Sequence, residues 1–331
     1  MEEWKIIKLL KEWLKLLKEE KEVEKTNYDR FPDIVFPPKN VTVNDNDYTL
    51  YRFLFSGLSD LYNYLKADPY INYKIFNRLD SEEKGPEFAG IEYDAALEQL
   101  INYNDPKYRE FLSLTSKSRV KNLKVGNTFQ VVDSVAGGVI RPEAIATGSP
   151  KIYRVTRVIP SENFAKFHVA ASYNFTTTKQ QIYNRAVILT NIIHALEREG
   201  VVVDVNVFET SYCKDELLDI VLKIKKNGQF TNYQALYRSL CNVEFLRRIL
   251  FRVLETADVK RNWSHGYGRT CDEKFMREYL KADKNDFFVG EPDEMGIKGY
   301  SLPNDFETAV KKLKLEKSID VEKAKFYLND K

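Results

Sequence analysis

Residues 165–209 carry the pattern that most restricts what this chain can fold into. AKFHVAA (165–171) alternates as a strand does. Ile182, Ala186, Leu189, Ile193 and Leu196 then recur at helical spacing, and Gly200 stops the helix. VVVDVNVFE (201–209) is Val-rich, as expected of a strand buried on both faces. Strand, helix and strand in succession predict a right-handed βαβ unit with parallel strands.

The next segment, LLDIVLKIK (217–225), alternates Leu218, Ile220, Leu222 and Ile224 with Asp219, Lys223 and Lys225. Its connector is too short for a parallel crossover, so the strand is expected to be antiparallel. Charges along one side place it at a sheet edge. NDFFVG (285–290) reads as a further buried strand and NDFETAVKKLK (304–314) as a last helix. The predicted fold class is therefore α/β: a mostly parallel, Rossmann-like sheet with one antiparallel edge strand, behind an N-terminal helical segment.

Three regions are expected. Residues 1–30 hold an amphipathic helix, because Ile6, Leu10, Trp13 and Leu17 form a stripe among Lys and Glu. Residues 31–125 read as mixed and mainly helical, beginning with the proline-broken FPDIVFPPKN (31–40) as a linker. Residues 126–331 hold the α/β domain. Helices are also predicted in YQALYRSL, capped by Asn232, and in VEFLRRILFRVLETA, whose Arg247, Arg248 and Arg252 read as its solvated face.

Composition narrows the function classes. The 331 residues include 51 Lys+Arg against 49 Asp+Glu, which gives no whole-chain pull toward nucleic acid. Cys213, Cys241 and Cys271 lie far apart with no C-x-x-C pair, which argues against structural zinc and for a reducing cytoplasm. Of three histidines, His168 on a strand and His194 in a helix read as structural, leaving His265 in a loop. No apolar run is long enough to span a membrane, and the Lys-studded N-terminus does not read as a signal peptide.

The element order resembles the von Willebrand factor A-like fold, which places a metal-ion-dependent adhesion motif, Asp-x-Ser-x-Ser, directly after its first strand. The matching window is Ala170-Ala171-Ser172-Tyr173-Asn174. Ser172 matches the first serine, Asn174 replaces the second with another oxygen donor, and Ala170 stands where the carboxylate belongs. The stretch from VVDSVAGG through NRAVIL, LRRILF and GYGR also resembles an uncharacterised bacteriophage protein family, over roughly residues 125–315. That resemblance implies a phage-encoded protein in the host cytoplasm, or in the virion if it is structural.

In open α/β sheets, ligands sit outside the carboxyl ends of the strands. That rim is expected to gather Ser172, Asn174, Thr176–Thr178, Glu209, Ser211, and Glu291, Asp293 and Glu294, with Asn184 and Arg185 on the following helix. Ser172 and Asn174 are weak metal ligands on their own. No motif indicates a cofactor, and the one such a rim could hold is a hard divalent cation such as Mg²⁺. VDSVAGG lacks the Gly-Lys-Ser/Thr ending of a phosphate loop, so Gly137-Gly138 reads as a turn and Asp133 as a binding candidate. RNWSHGYGR (261–269), with Arg261, Trp263, His265, Tyr267 and Arg269, suits either a protein interface or stacking on bases.

No G-x-S-x-G elbow or glycine-rich dinucleotide loop is present. The sequence therefore points to a binding or assembly module with no catalytic residue assigned. Its expected partner is a protein, either a second copy or a ring ATPase. A divalent-metal enzyme acting on nucleic acid and a virion structural subunit are the alternatives.

Overall fold

The computed structural model describes residues 26–76, 79–83, 86–102, 105–116, 129–134, 139–140, 145, 153–158, 164–174, 176–198, 201–226, 229, 231–260 and 271–315. The helix expected over 2–25, the Gly137-Gly138 turn and the loop 261–269 lie outside them.

The chain is α/β. Strands β1 (Val35–Val43) and β2 (Asn46–Phe55) form an antiparallel hairpin. Asn44 and Asp45 turn it with φ of 49° and 61°, the left-handed pair that suits strand twist in a two-residue loop. Helices α1 (Leu58–Lys66), α2 (Tyr93–Gln99) and α3 (Pro106–Ser116) follow. Strands β3 (Phe129–Ser134), β4 (Val139–Ile140) and β5 (Tyr153–Val158) make a three-stranded antiparallel sheet of their own, ordered β3-β5-β4.

The main sheet resumes with β6 (Phe164–Ala170), α4 (Lys179–Arg198), β7 (Val202–Cys213) and β8 (Glu216–Lys225). Beyond it come α5 (Tyr233–Leu240), a π-helix (Phe245–Leu250) running into α6 (Phe251–Glu255), then α7 (Glu273–Leu280), β9 (Asp286–Val289) and α8 (Leu302–Lys312). The six strands are ordered β1-β2-β8-β7-β6-β9. Pairs β2–β8, β7–β6 and β6–β9 are parallel, whereas β1–β2 and β7–β8 are antiparallel.

The predicted βαβ unit is β6-α4-β7, with Phe164 opposite Val202 and Ala170 opposite Phe208. Phe167 and Val169 of β6 and Val203, Val205 and Val207 of β7 share a core with Ile182, Leu189 and Ile193 of α4. Helix α4 is buried nearly all round because α3, α5 and α8 also pack on it. As expected, Asn232 caps α5, accepting from the Ala235 amide at 3.0 Å. His168 and His194 hold structural bonds, to Asp286 at 2.7 Å and to the Tyr233 hydroxyl at 3.0 Å.

Three expectations are corrected. First, β8 is antiparallel to β7 but is not an edge strand, because β2 pairs with its other side from Thr49–Glu216 to Phe55–Leu222. Two of its charges, Asp219 and Lys225, are buried and paired. Asp219, 1% exposed, meets Arg52 Nε at 3.2 Å and accepts from Thr210 Oγ1 and the Tyr279 hydroxyl, each at 2.7 Å. Lys225 pairs with Glu197 at 2.8 Å. A carboxylate keeps its charge inside a sheet only with partners of this kind. Tyr279→Phe is expected to cost about 1 kcal/mol in urea unfolding; an unchanged midpoint would argue against the bond.

Second, the proline-rich stretch is no linker. Pro37 and Pro38 lie within β1, where the register with β2 shifts between Phe36 and Lys39. Strand β1 is the sheet's outer edge, and an edge strand tolerates missing amide donors. The six-stranded sheet therefore draws strands from both sides of the boundary expected near residue 126.

Third, the arginines of the helix after Asn242 are not solvated. Arg248 and Arg252 are 0% and 5% exposed. Arg248 donates from Nε to the Ile91 carbonyl at 2.7 Å, and from Nη1 to the Ser81 and Glu82 carbonyls at 2.8 and 3.2 Å. Arg247 reaches the Phe88 carbonyl and stacks over its ring at 4.3 Å. Asp80–Glu83 and Pro86–Ala89 are helices of one turn. Such helices cannot bond their own last carbonyls, and guanidinium donors supply partners around them.

Candidate functional site at the sheet rim

Helix α4 must begin beyond the carboxyl end of β6 so that its apolar stripe can return over the sheet. The loop 171–178 that results meets the loop after β9 at one rim. Asn174 donates its amide to Glu291 at 2.8 Å, and Gln181 donates to Asp293 at 2.9 Å and to the Ile297 carbonyl at 3.0 Å. Asp305 accepts the Lys298 and Gly299 amides at 2.9 and 3.0 Å and the Asn184 amide at 3.0 Å. A Cβ at Gly290 would stand 2.0 Å from the Glu294 carboxylate, so a side chain there would have to displace Glu294.

Beneath this rim lies a group of unpaired oxygens. Glu209 on β7 is 2% exposed, and neither carboxyl oxygen has a hydrogen-bond partner. The hydroxyls of Ser172 and Ser211 are also buried and unpartnered. Burial raises the Glu209 pKa to about 8, Glu291 adds to the rise, and the neighbouring Ser172 hydroxyl opposes it. Glu291 is also raised, by its own burial first, against the bond from Asn174. At neutral pH most of Glu209 is therefore the neutral acid.

The expected site residues separate into groups. Ser172, Asn174, Thr176, Glu209 and Asp293 belong to the rim or lie just under it. Asn184 is buried and committed to Asp305 and Gln180. Arg185 is buried and donates to the Gly290 carbonyl at 2.9 Å, with burial lowering its pKa to about 10. Asn184 fastens α4 to α8, and Arg185 fastens it to the loop after β9, so they build the rim instead of binding at it. Asp133 is not on this rim; it lies in β3 of the smaller sheet, opposite Arg154. Arg261, Trp263, His265, Tyr267 and Arg269 fall outside the described residues.

Ala170 packs in an apolar cluster with Phe208, Val221 and Phe275. Among the described residues no group of three or more His, Cys, Asp or Glu is placed to hold a metal. Nor, among them, is any helix long and apolar enough to cross a membrane.

A family model described as "Domain of unknown function (DUF7192)" matches residues 32–317. The chain belongs to the DUF7192 family. No curated protein and no solved structure matches it. The matched span holds both sheets, the rim and every described helix from α1 to α8.

Sequence reasoning missed a second feature of this DUF7192 chain. A cleft of about 560 Å³ opens beside the start of α4, lined by α3, α5 and the turn before the π-helix. Its wall is a fixed network. Asp105 accepts from the Tyr237 hydroxyl at 2.9 Å, Arg238 at 3.0 Å and the Lys107 amide at 2.9 Å, and Arg238 also reaches the Asn102 carbonyl at 2.7 Å. Burial pulls the Asp105 pKa upward, but these bonds outweigh it and hold the carboxyl below its usual range. Burial pushes the Cys241 thiol well up, so it stays protonated. The lining residues come from four stretches of chain, and no contiguous motif marks them.

Proposed function

We propose that this chain is a phage-encoded, non-enzymatic binding module of von Willebrand A-like architecture that engages a protein partner through the rim. The strand order supports the architecture: a first strand β6, a parallel β7 reached through α4, a hairpin to antiparallel β8, and β9 on the far side of β6. The observation that carries the binding role is Tyr300, 95% exposed on the loop that Asp305 and Gln181 pin to the rim. A large aromatic held out on a rigid loop is the usual anchor of a protein interface. Asn174, Thr176, Asp293 and Glu294 add exposed polar groups on the two loops of the rim.

The test is to capture the partner with the tagged full chain, then reconstitute the complex from purified proteins. Tyr300→Ala is expected to weaken it about 10-fold or more, as loss of one hot-spot aromatic does. The melting temperature should stay unchanged, because Tyr300 contributes little buried surface. Full affinity in both Tyr300→Ala and Glu294→Lys would place the interface elsewhere.

A further inference from the structure

We propose that a groove at the sheet's outer edge receives the chain's own N-terminal segment, with Leu10, Trp13, Leu14 and Leu17 as the side chains it buries. The groove holds about 400 Å³. It is bounded by the first described residues, 26–28, by β1 from Val35 to Pro38, and by residues 70–74. The buried Tyr51, Phe53 and Thr256 line its inner side.

The groove is apolar and already formed. Seven large hydrophobic side chains are exposed among the described residues. Three of them, Phe36, Tyr70 and Tyr73, line this groove at 38, 48 and 65% exposure. Exposed apolar surface gathered in one place marks an interaction site. The walls are tied together across distant parts of the chain. Asn27 donates to the Tyr70 and Thr256 carbonyls at 2.7 and 2.9 Å and accepts the Tyr70 amide at 2.9 Å. Asn72 donates to the Ala257 and Val259 carbonyls at 3.1 and 2.9 Å. Arg30 lies over the Tyr70 ring, 4.6 Å from its centroid. Walls fixed in this way need little reordering when a side chain enters.

The occupant follows from where the described chain begins. Thr26 is itself part of the groove wall, so the segment 1–25 starts from the groove. Thr26 caps the short helix Asn27–Arg30 with an extended ψ of 162°, which breaks any straight helical run through that point. Leu10, Trp13, Leu14 and Leu17 fall at i, i+3, i+4 and i+7. That is the spacing by which an amphipathic helix lays its apolar face into a groove. The residues between, KEEKEVEK (18–25), are almost all Lys and Glu and make a water-compatible connector. Extended, such a connector reaches roughly 26 Å, enough for the apolar stripe to fold back onto the groove.

Hydrogen exchange of the full chain, read by mass spectrometry, is compared with that of a synthetic peptide of residues 1–25. Light scattering gives the oligomeric state. In the monomeric chain, amides of residues 10–17 are expected to exchange at least about 10-fold more slowly than in the peptide. Trp13→Glu should return them to the peptide's rate and increase hydroxyl-radical labelling of Tyr70 and Tyr73. Phe36→Glu combined with Tyr73→Glu should also return them to that rate. Both of those side chains are exposed, and unchanged protection of β6 and β7 verifies that the fold is kept. Peptide-like exchange in the unaltered chain, or protection that survives both variants, would overturn the assignment. So would protection that appears only at concentrations where the chain dimerises, because the segment would then sit on a second copy.

Discussion

Glu209→Gln is expected to make the chain more stable at pH 8 and to remove most of its loss of stability between pH 6.5 and 8. An unfolded glutamate loses its proton near 4.5, whereas the folded Glu209 keeps it to about 8. Between these values the unfolded state binds fewer protons, so stability falls as pH rises. One pKa unit corresponds to about 1.36 kcal/mol, so the wild type should lose roughly 2 kcal/mol across that window from this residue. Below 6.5 the buried His168, lowered mainly by burial, adds a slope of the opposite sign, which is why the upper window is chosen. Glu244 and Glu291 are raised as well, so the variant's curve is flattened but not level. Urea unfolding at several pH values measures the slope. Equal slopes in the two proteins would mean that Glu209 is charged or paired in the folded state.

Arg248→Met is expected to destabilise the chain by about 3 kcal/mol or more. Methionine keeps the apolar stem but leaves the Ser81, Glu82 and Ile91 carbonyls without their donor, and each buried unpaired group costs about 1–3 kcal/mol. The loss of a desolvated charge offsets part of this. The effect should be local as well as global. Amides of residues 80–92 should lose hydrogen-exchange protection before those of β6 and β7. Ser81 adds a second link, since its amide donates to the fully buried Glu255 at 2.9 Å. An unchanged urea midpoint would make the arginine a passive filler.

What could be read from sequence was what rests on neighbours in sequence. The stripe from Ile182 to Leu196 and the valines from 201 to 207 give β6-α4-β7 because helix and strand periods are local properties. The turn at Lys214 and Asp215 is too short for anything but an antiparallel return. The interior position of β8 depends on Arg52 and Tyr279, which lie far away in sequence and convert Asp219 from an edge charge into a buried one. The arginines after Asn242 mislead for the same reason: their carbonyl partners lie roughly 160 residues earlier. The general rule for strand ends located the rim, but nothing in the sequence shows that Glu209 would be sealed without a partner. Tyr300 gives no signal either, since exposure of a loop tyrosine is decided by how Asp305 and Gln181 hold its loop.

The parallel pairing of β2 with β8 also sets an order of events during synthesis. Thr49 meets Glu216, so the β1-β2 hairpin leaves the ribosome about 170 residues before the strand that will cover it. At roughly 5–20 residues per second, that edge waits on the order of ten seconds or more. Its outer side is blunted by Pro37 and Pro38, but its inner side presents Leu50, Tyr51, Phe53 and Phe55. A nascent chain stalled before β8 would carry an unpaired apolar strand, the kind that a chaperone must shield or that a second nascent chain will capture.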